Sequence, residues 1–247
     1  MFRFIGGVKN LNADALVTGH YAIRKGNLKD SKLYKAKDKQ KDQSYFLFAT
    51  LQDQLDYVRF PLGNYLKSEI RQMAIDYRLI VSDKPDSQDI CFVTSDSYRD
   101  LINKLKPEIN KAGNIFDDNG NKIGVHKGIA NYTIGQRKGI GVGGQEKPLY
   151  VKEVNKKQNY IILAPYENLQ KNKIFFKNIN LLDKEILNKE IKCSAKIRST
   201  QNEKSGKLKI IDETGYFLFD EPISATSPGQ ACVFYKNDQV LGGGWIT

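Results

Sequence analysis

Three cysteines are the best nucleophiles in this 247-residue chain, and their settings differ. Cys91 stands in Ser87-Gln88-Asp89-Ile90-Cys91-Phe92-Val93, behind a polar loop marked by Pro85. Period-two alternation there puts the thiol on the face opposite Ile90 and Phe92. A thiol at a loop-to-strand junction is accessible enough to react, although Asp89 has the wrong sign for lowering its pKa. Local sequence therefore leaves a catalytic and a structural reading of Cys91 both open. Cys193 alternates with Ile191, Ala195 and Ile197 on one face of a strand-like run, the pattern of a buried structural thiol, and Cys232 reads the same way. With no CxxC pair and no nearby histidine, neither a zinc site nor a disulfide framework is indicated, and a reducing compartment fits.

Glycines are the second chemical signal. Gly139, Gly141 and Gly144 satisfy the GxGxxG spacing, but Gln145-Glu146-Lys147-Pro148 stands where a dinucleotide site needs a helix. Gly135-Gln136-Arg137-Lys138-Gly139 instead reads as a flexible basic loop, since glycines let a phosphate backbone approach and Arg137 and Lys138 supply charge. A hairpin turn without a ligand is the other reading of that loop. Gly242-Gly243-Gly244 is expected at a strand end and lacks the serine and following helix of a phosphate cradle.

These residues must be held by a chain with a net charge of +11, from 39 basic and 28 acidic side chains. Such a balance favours a polyanionic partner, nucleic acid before an anionic membrane. Seven lysines between Lys25 and Lys41, interrupted only by Asp30 and Asp38, predict an exposed loop or hairpin. No apolar run approaches the roughly 20 residues that span a bilayer. The opening Met1-Phe2-Arg3-Phe4-Ile5-Gly6-Gly7 is too short and too soon polar for a signal peptide, so a cytoplasmic protein is expected.

Residues 1–104 mix helical and strand patterns. Ala15-Leu16-Val17 reads as a short strand ending at Thr18-Gly19-His20, and in α/β sheets ligands gather at strand ends. Leu66, Ile70, Met73, Ala74 and Tyr77 recur at helical spacing behind Pro61-Leu62-Gly63-Asn64, predicting an amphipathic helix. One strand and a few helices cannot close a sheet core, so this α/β segment is expected to be the tail of a larger domain. Residues 105–165 shift to glycine-rich turns between short β runs, with ten basic and five acidic side chains, predicting a small basic, mainly β domain. Residues 166–247 carry short strand runs at 174–176, 191–197, 208–211, 216–219, 231–235 and 239–241, the spacing of a small β-barrel.

Several of these segments occur together in the order of a known family. Thr18-Gly19-His20-Tyr21-Ala22, Lys41-Asp42-Gln43-Ser44-Tyr45-Phe46-Leu47 and Asp86-Ser87-Gln88-Asp89-Ile90-Cys91-Phe92 come first. Gly124-Val125-His126-Lys127-Gly128, Tyr132 through Gly139, Gly143-Gly144, Lys196-Ile197-Arg198, Ser227-Pro228-Gly229-Gln230-Ala231 and Leu241-Gly242-Gly243-Gly244 come after them. The chain resembles the tRNA-specific 2-thiouridylases, the MnmA family, over essentially its whole length. The resemblance implies a partial α/β, adenine-nucleotide-hydrolase-like PP-loop domain, then a central mainly β domain and a tRNA-binding C-terminal barrel. It also implies that ATP, with Mg as its counter-ion, activates the C2 oxygen of the wobble uridine of a tRNA. A protein persulfide then replaces that oxygen with sulfur supplied by a donor such as a cysteine desulfurase or a sulfur-relay protein. By the motif match Cys91 carries the persulfide, Gly19 contacts ATP, and His20, Lys41, Asp42, Gln43, Arg198, Ser199 and Gln230 contact the tRNA anticodon arm; no structural metal is implied. Ser199 departs from the bulkier aromatic common at its position, so the resemblance does not carry a stacking role over to it.

The family also begins with a glycine- and serine-rich pyrophosphate loop and a first catalytic cysteine, and neither stands in these residues; Phe2-Arg3-Phe4 resembles the few residues just after that cysteine. An N-terminally truncated chain that does not thiolate tRNA by itself is the expectation, with a non-catalytic tRNA-binding remnant as the alternative.

Overall fold

The computed structural model describes residues 13–80, 110–144, 146–224 and 226–247. They form two compact units: residues up to 80 join 172–221 and 228–247 in one, and 110–171 join 222–227 in the other.

The first unit is organised around a closed barrel. Six strands, β9 (Lys171–Leu181), β10 (Glu190–Lys196), β11 (Lys204–Ile211), β12 (Thr214–Ile223), β13 (Ala231–Lys236) and β14 (Gln239–Ile246), run in the order β13-β10-β11-β12-β9-β14, and β13 also pairs with β14. Each of the strand runs expected from residue 174 onward is there. Alternation explains why: Cys193, Ala195 and Ile197 point inward, as do Leu208 and Ile210, and Phe217 and Phe219. Phe176, Phe217 and Phe234 meet at the centre, with centroids 4.9 Å apart for Phe176–Phe234 and 6.4 Å for the stacked Phe217–Phe234 pair. Each such buried ring contributes roughly 2 kcal/mol of transfer free energy. Cys193 and Cys232 are buried free thiols, as their pattern predicted.

The glycine triplet is a correction. Gly242-Gly243-Gly244 lies inside β14, not at a strand end. Packing demands it there: a Cβ on Gly243 would stand 2.5 Å from the Phe48 ring, and one on Gly244 2.9 Å from the Phe176 ring.

The α/β segment packs on this barrel. β1 (Leu16–Val17) pairs in parallel with β4 (Val58–Arg59), the partner that local sequence did not reveal. β2 (Ala22–Lys25) and β3 (Lys32–Lys35) form a hairpin whose second strand adds to the barrel sheet, Leu33 opposite Val240 and Tyr34 opposite Gln239. One apolar cluster runs through both parts, from Ala22, Leu33, Leu47, Phe48, Leu55 and Val58 to Leu182, Val233 and Val240. Helices α1 (Ser44–Leu47), α2 (Gln52–Tyr57) and α3 (Lys67–Asp76) are its α-helices among the described residues. The helix expected behind Pro61-Leu62-Gly63-Asn64 is α3, but none of its residues is buried, and Met73 and Tyr77 are exposed.

The lysine-rich hairpin is also less exposed than expected. Lys35 is buried, ion-paired with Glu203, 2.9 Å from the Asn237 carbonyl oxygen to which it donates, and 4.6 Å above the Tyr235 ring. Lys37 and Lys39 pair with Glu69 (3.1 Å) and Asp238 (2.8 Å). The hairpin turn is clamped by Asp56, whose carboxylate accepts from the backbone N–H of Lys29 (2.8 Å) and Ser31 (3.3 Å) and from the Gln52 amide (3.0 Å). Burial alone would raise the Asp56 pKa, yet the hydrogen bonds from Ser31, Gln52 and Lys29 hold it below the ordinary value. Asp56→Ala leaves these donors without their acceptor and is expected to cost about 1–3 kcal/mol in denaturant unfolding. Because the folded-state pKa is depressed, that contribution is present above the unfolded carboxylate's pKa of about 4 and is lost as pH falls through the folded value. Equal losses for the variant at neutral and acid pH would contradict this assignment.

The second unit holds a four-stranded sheet in the order β6-β5-β8-β7, from β5 (Gly113–Phe116), β6 (Lys122–His126), β7 (Leu149–Asn155) and β8 (Tyr160–Pro165). Its core is Ile115, Ile129, Ile140, Val151, Ile161 and Leu163. His126 is fully buried: its Nδ1 accepts from the Gly128 N–H at 3.1 Å, which leaves Nε2–H to donate to the Asn159 carbonyl at 3.2 Å. The Gly135–Gly139 loop is stitched rather than flexible. Gly135 N–H donates to the Val151 carbonyl (2.8 Å), Val151 N–H to the Gln136 carbonyl (2.9 Å), and the Gln136 side chain accepts from Thr133 and donates to Lys138. A strand, β7, and no helix comes after Gly144, in keeping with the rejection of a dinucleotide site.

Candidate nucleic-acid interface

The residues singled out in the first unit converge through hydrogen bonds made by their neighbours. β1 is prolonged by one bond, Thr18 N–H to the Arg59 carbonyl at 3.0 Å, and the chain then opens at Gly19. Gly19 is exposed, and a Cβ there would approach nothing closer than Leu62 at 3.8 Å, so a ligand can come close to its backbone. His20 is next, half-buried, with its Nδ1 3.0 Å from the Thr18 hydroxyl and its ring edge-on to Phe60. Burial lowers its pKa, so the imidazole is neutral at pH 7 and meets a partner by hydrogen bonding, not by charge.

Tyr21 and Gln43 are locked reciprocally. The Tyr21 N–H donates to Gln43 Oε1 at 2.8 Å, and the Gln43 N–H donates to the Tyr21 carbonyl at 2.9 Å. This brings Lys41-Asp42-Gln43 beside Gly19-His20. Lys41 is exposed. The Asp42 carboxylate is turned inward, where it accepts from Ala36 N–H (2.9 Å), Ser44 N–H (3.3 Å) and the Ser44 hydroxyl (2.8 Å). Asp42 thus fixes the turn that enters α1.

α1 carries the connection on to the barrel. The Tyr45 hydroxyl donates to the Ala231 carbonyl at 2.9 Å. Burial pushes its pKa up to about 12, an effect that the nearby Arg198 guanidinium opposes. Arg198 lies just past β10 in a tight turn, with the Gln201 N–H bonded to its carbonyl, and Ser199 beside it is exposed. Gln230, immediately before Ala231, accepts the Ile246 N–H of the barrel's last strand on its carbonyl (2.8 Å), and the Gly229 N–H donates back to the Ile246 carbonyl (2.8 Å). The Gln230 side-chain Oε1 is buried and has no hydrogen-bond partner among the described residues. A buried acceptor left unpaired costs about 1–3 kcal/mol, so this oxygen is suited to a donor brought by a ligand.

Gly19, His20, Lys41, Asp42, Gln43, Arg198 and Gln230 are therefore linked through the chain neighbours and contacts of Tyr21 and Tyr45. Those two tyrosines were not singled out in the sequence: for Tyr45 the available signal was that a buried tyrosine needs a partner for its hydroxyl, whereas Tyr21 connects through its backbone and its buried hydroxyl has no hydrogen-bond partner among the described residues. Cys91 lies outside the described residues. Among the described residues no group of three or more His, Cys, Asp or Glu could hold a metal ion, and no helix is long and apolar enough to cross a membrane.

Three family models match the chain in succession. Residues 2–95 match the tRNA methyl transferase HUP domain, 100–165 the tRNA methyl transferase PRC-barrel domain, and 171–246 the aminomethyltransferase beta-barrel domain. A protein of Wolbachia sp. subsp. Drosophila simulans (strain wRi) is 47% identical over 243 residues, 96% of this chain and 64% of its own length. One of Rickettsia massiliae (strain Mtu5) is 44% identical over 241 residues, 97% of this chain and 66% of its own. One of Ehrlichia ruminantium (strain Gardel) is 45% identical over 247 residues, 98% of this chain and 65% of its own. All three bear the name tRNA-specific 2-thiouridylase MnmA. The chain thus spans slightly less than two thirds of the curated relatives it matches.

Proposed function

Because this chain belongs to the MnmA family of tRNA-specific 2-thiouridylases, we propose that it holds the anticodon arm of a tRNA while Cys91 carries persulfide sulfur to C2 of the wobble uridine. The observation that supports the RNA-holding part is the chain of contacts just described, which links the strand end at Gly19-His20 to the barrel loops at Arg198 and Gln230.

In this reading His20 hydrogen-bonds near the target base as a neutral imidazole, Lys41 and Arg198 meet phosphates, and Gln230 receives an RNA donor on its unpaired oxygen. Gln43 and Ser199 meet the RNA beside them, and Asp42 contributes through the turn it holds. ATP, when bound with Mg, supplies the activation that makes the uridine oxygen a leaving group. Gly19 suits the approach of such a nucleotide. The roles we assign to the residues named here are sulfur carriage and RNA positioning, with sulfur supplied by a donor protein in the cytoplasm and domain divisions near residues 104 and 165. Chemistry favours a cysteine for the carrier, since sulfur travels covalently on it and is delivered inside a site that excludes water. One alternative is a tRNA-binding remnant without chemistry, in which Cys91 is no more reactive than the two buried thiols.

The test is affinity for an unmodified tRNA transcript at several salt concentrations. Arg198→Ala is expected to weaken binding about tenfold and to lower the salt slope by about 1, as the loss of one phosphate contact requires. Arg198→Lys should restore most of the slope. Unchanged affinity and slope in Arg198→Ala, with the fold intact by circular dichroism, would refute the assignment.

A further inference from the structure

The outward face of the barrel carries a basic and aromatic patch on strands that hold none of the residues assigned above. β9 presents Lys173, Phe175 and Lys177 in alternation, all exposed. Trp245 of β14 stands directly opposite Lys177, and Tyr216 of β12 opposite Lys209 of β11, so four adjacent strands contribute to one face. Phe175 is 55% and Trp245 41% exposed, and Leu218 beside them 40%. The Phe175 and Tyr216 rings meet at 6.3 Å, and the Lys173 ammonium lies 3.8 Å from the Tyr216 centroid and 5.0 Å from that of Phe175.

Cross-strand aromatic pairs on a sheet can serve stability alone, at roughly 0.2–1 kcal/mol each. That role asks for neither the exposure of Trp245 and Phe175 nor the surrounding cations. Lys207 and Lys204 at the margin are neutralised by Glu190 (3.5 Å) and Glu221 (3.3 Å). Lys173, Lys177 and Lys209 form no ion pair among the described residues; Glu190 stands opposite Lys209 on β10, paired with Lys207, and Asp220 lies toward the end of the row on β12. Unneutralised lysines between exposed rings fit a ligand with both negative charge and flat apolar faces. Unpaired nucleotides have both, whereas a protein surface or a second copy of this +11 chain lacks the charge.

Continuity gives the same answer. Trp245 pairs with Ala231, the residue after Gln230, and its ring packs edge-on to Phe48, one residue past α1. The patch thus begins where the proposed RNA-holding surface ends. We propose that Trp245, Lys177, Phe175, Lys173 and Tyr216 form a stacking platform for unpaired RNA nucleotides, entered from the Gln230 end. The proposal rests on the reading that the chain binds RNA, and it adds where further nucleotides of that RNA lie. Bases stack on Trp245 and Phe175, which are diagonal neighbours about 7 Å apart, while Lys177 and Lys173 meet the phosphates.

Trp245 is the single tryptophan of the chain, so its emission reports on this face alone. Titration with an oligouridylate of a dozen nucleotides, and separately with unmodified tRNA, is expected to quench that emission saturably. Phe175→Ala should weaken oligouridylate binding about tenfold and Phe175→Tyr should not, and Lys177→Gln should reduce the salt slope by about 0.7. Binding of tRNA that is sensitive to Arg198→Ala yet silent at Trp245 and indifferent to Phe175→Ala overturns the platform and leaves the functional reading standing. Absence of any tRNA binding overturns both. Concentration-dependent self-association that shifts Trp245 emission without RNA overturns the platform in favour of a second copy.

Discussion

Iodoacetamide or a persulfide donor, applied to the folded chain at pH 8, is expected to modify Cys91 and to leave Cys193 and Cys232 unmodified by a margin of at least about a hundredfold. The margin comes from the two buried thiols. Burial pushes the Cys193 thiol up to about 12, and Cys232, wholly enclosed in the barrel, also lies well above its ordinary value. Thiolate is the nucleophile, so raising a thiol from about 9 to about 12 lowers its reactive fraction by about three orders of magnitude before access is considered. Unfolding in denaturant should equalise the three. Peptide mapping by mass reads the outcome; equal labelling of all three cysteines in the folded state would remove Cys91 from its role as sulfur carrier and favour the non-catalytic alternative.

Replacing Gly243 by valine should produce the largest loss of stability, at least about 3 kcal/mol, or roughly a 6–12 °C fall in Tm for a chain of this size. A Cβ there meets the Phe48 ring at 2.5 Å and the Cys232 carbonyl oxygen at 2.8 Å, and the second contact is backbone that cannot step aside. The pairing can be checked by a double-mutant cycle. Gly243→Ala in a Phe48→Ala background should cost less than in the native background, because half of the collision is gone. Additive costs would show that the glycine answers to some constraint other than that ring.

How much of the fold was legible in the sequence depends on whether the cause was local. Inward alternation at Cys193, Ala195 and Ile197 needs no knowledge of partners, and the barrel strands were read from it. Lys35 belongs to a run of seven lysines that looks uniformly solvated. Only the strand β14 and the Glu203 carboxylate, far along the chain, turn it inward. β4 is two residues long and becomes a strand because β1 lies beside it, so no periodicity could have announced it. The place of the glycine triplet was hidden for the same reason, since the Phe48 and Phe176 rings that exclude side chains there are distant in sequence. At the interface, family order put Gly19, His20, Gln43, Arg198 and Gln230 in one motif series without showing how they meet. The two tyrosines that physically splice them together acquire meaning only once Tyr21 is seen against Gln43 and Tyr45 against Ala231.

The β3 strand that extends the barrel sheet has a mechanical corollary. Because the lysine hairpin is stitched edge to edge with β14 and shares its greasy interior, the barrel cannot swivel without dragging the corner at His20 along. On the proposed function, an RNA held at the barrel is thereby aimed at that corner through the shared sheet and core.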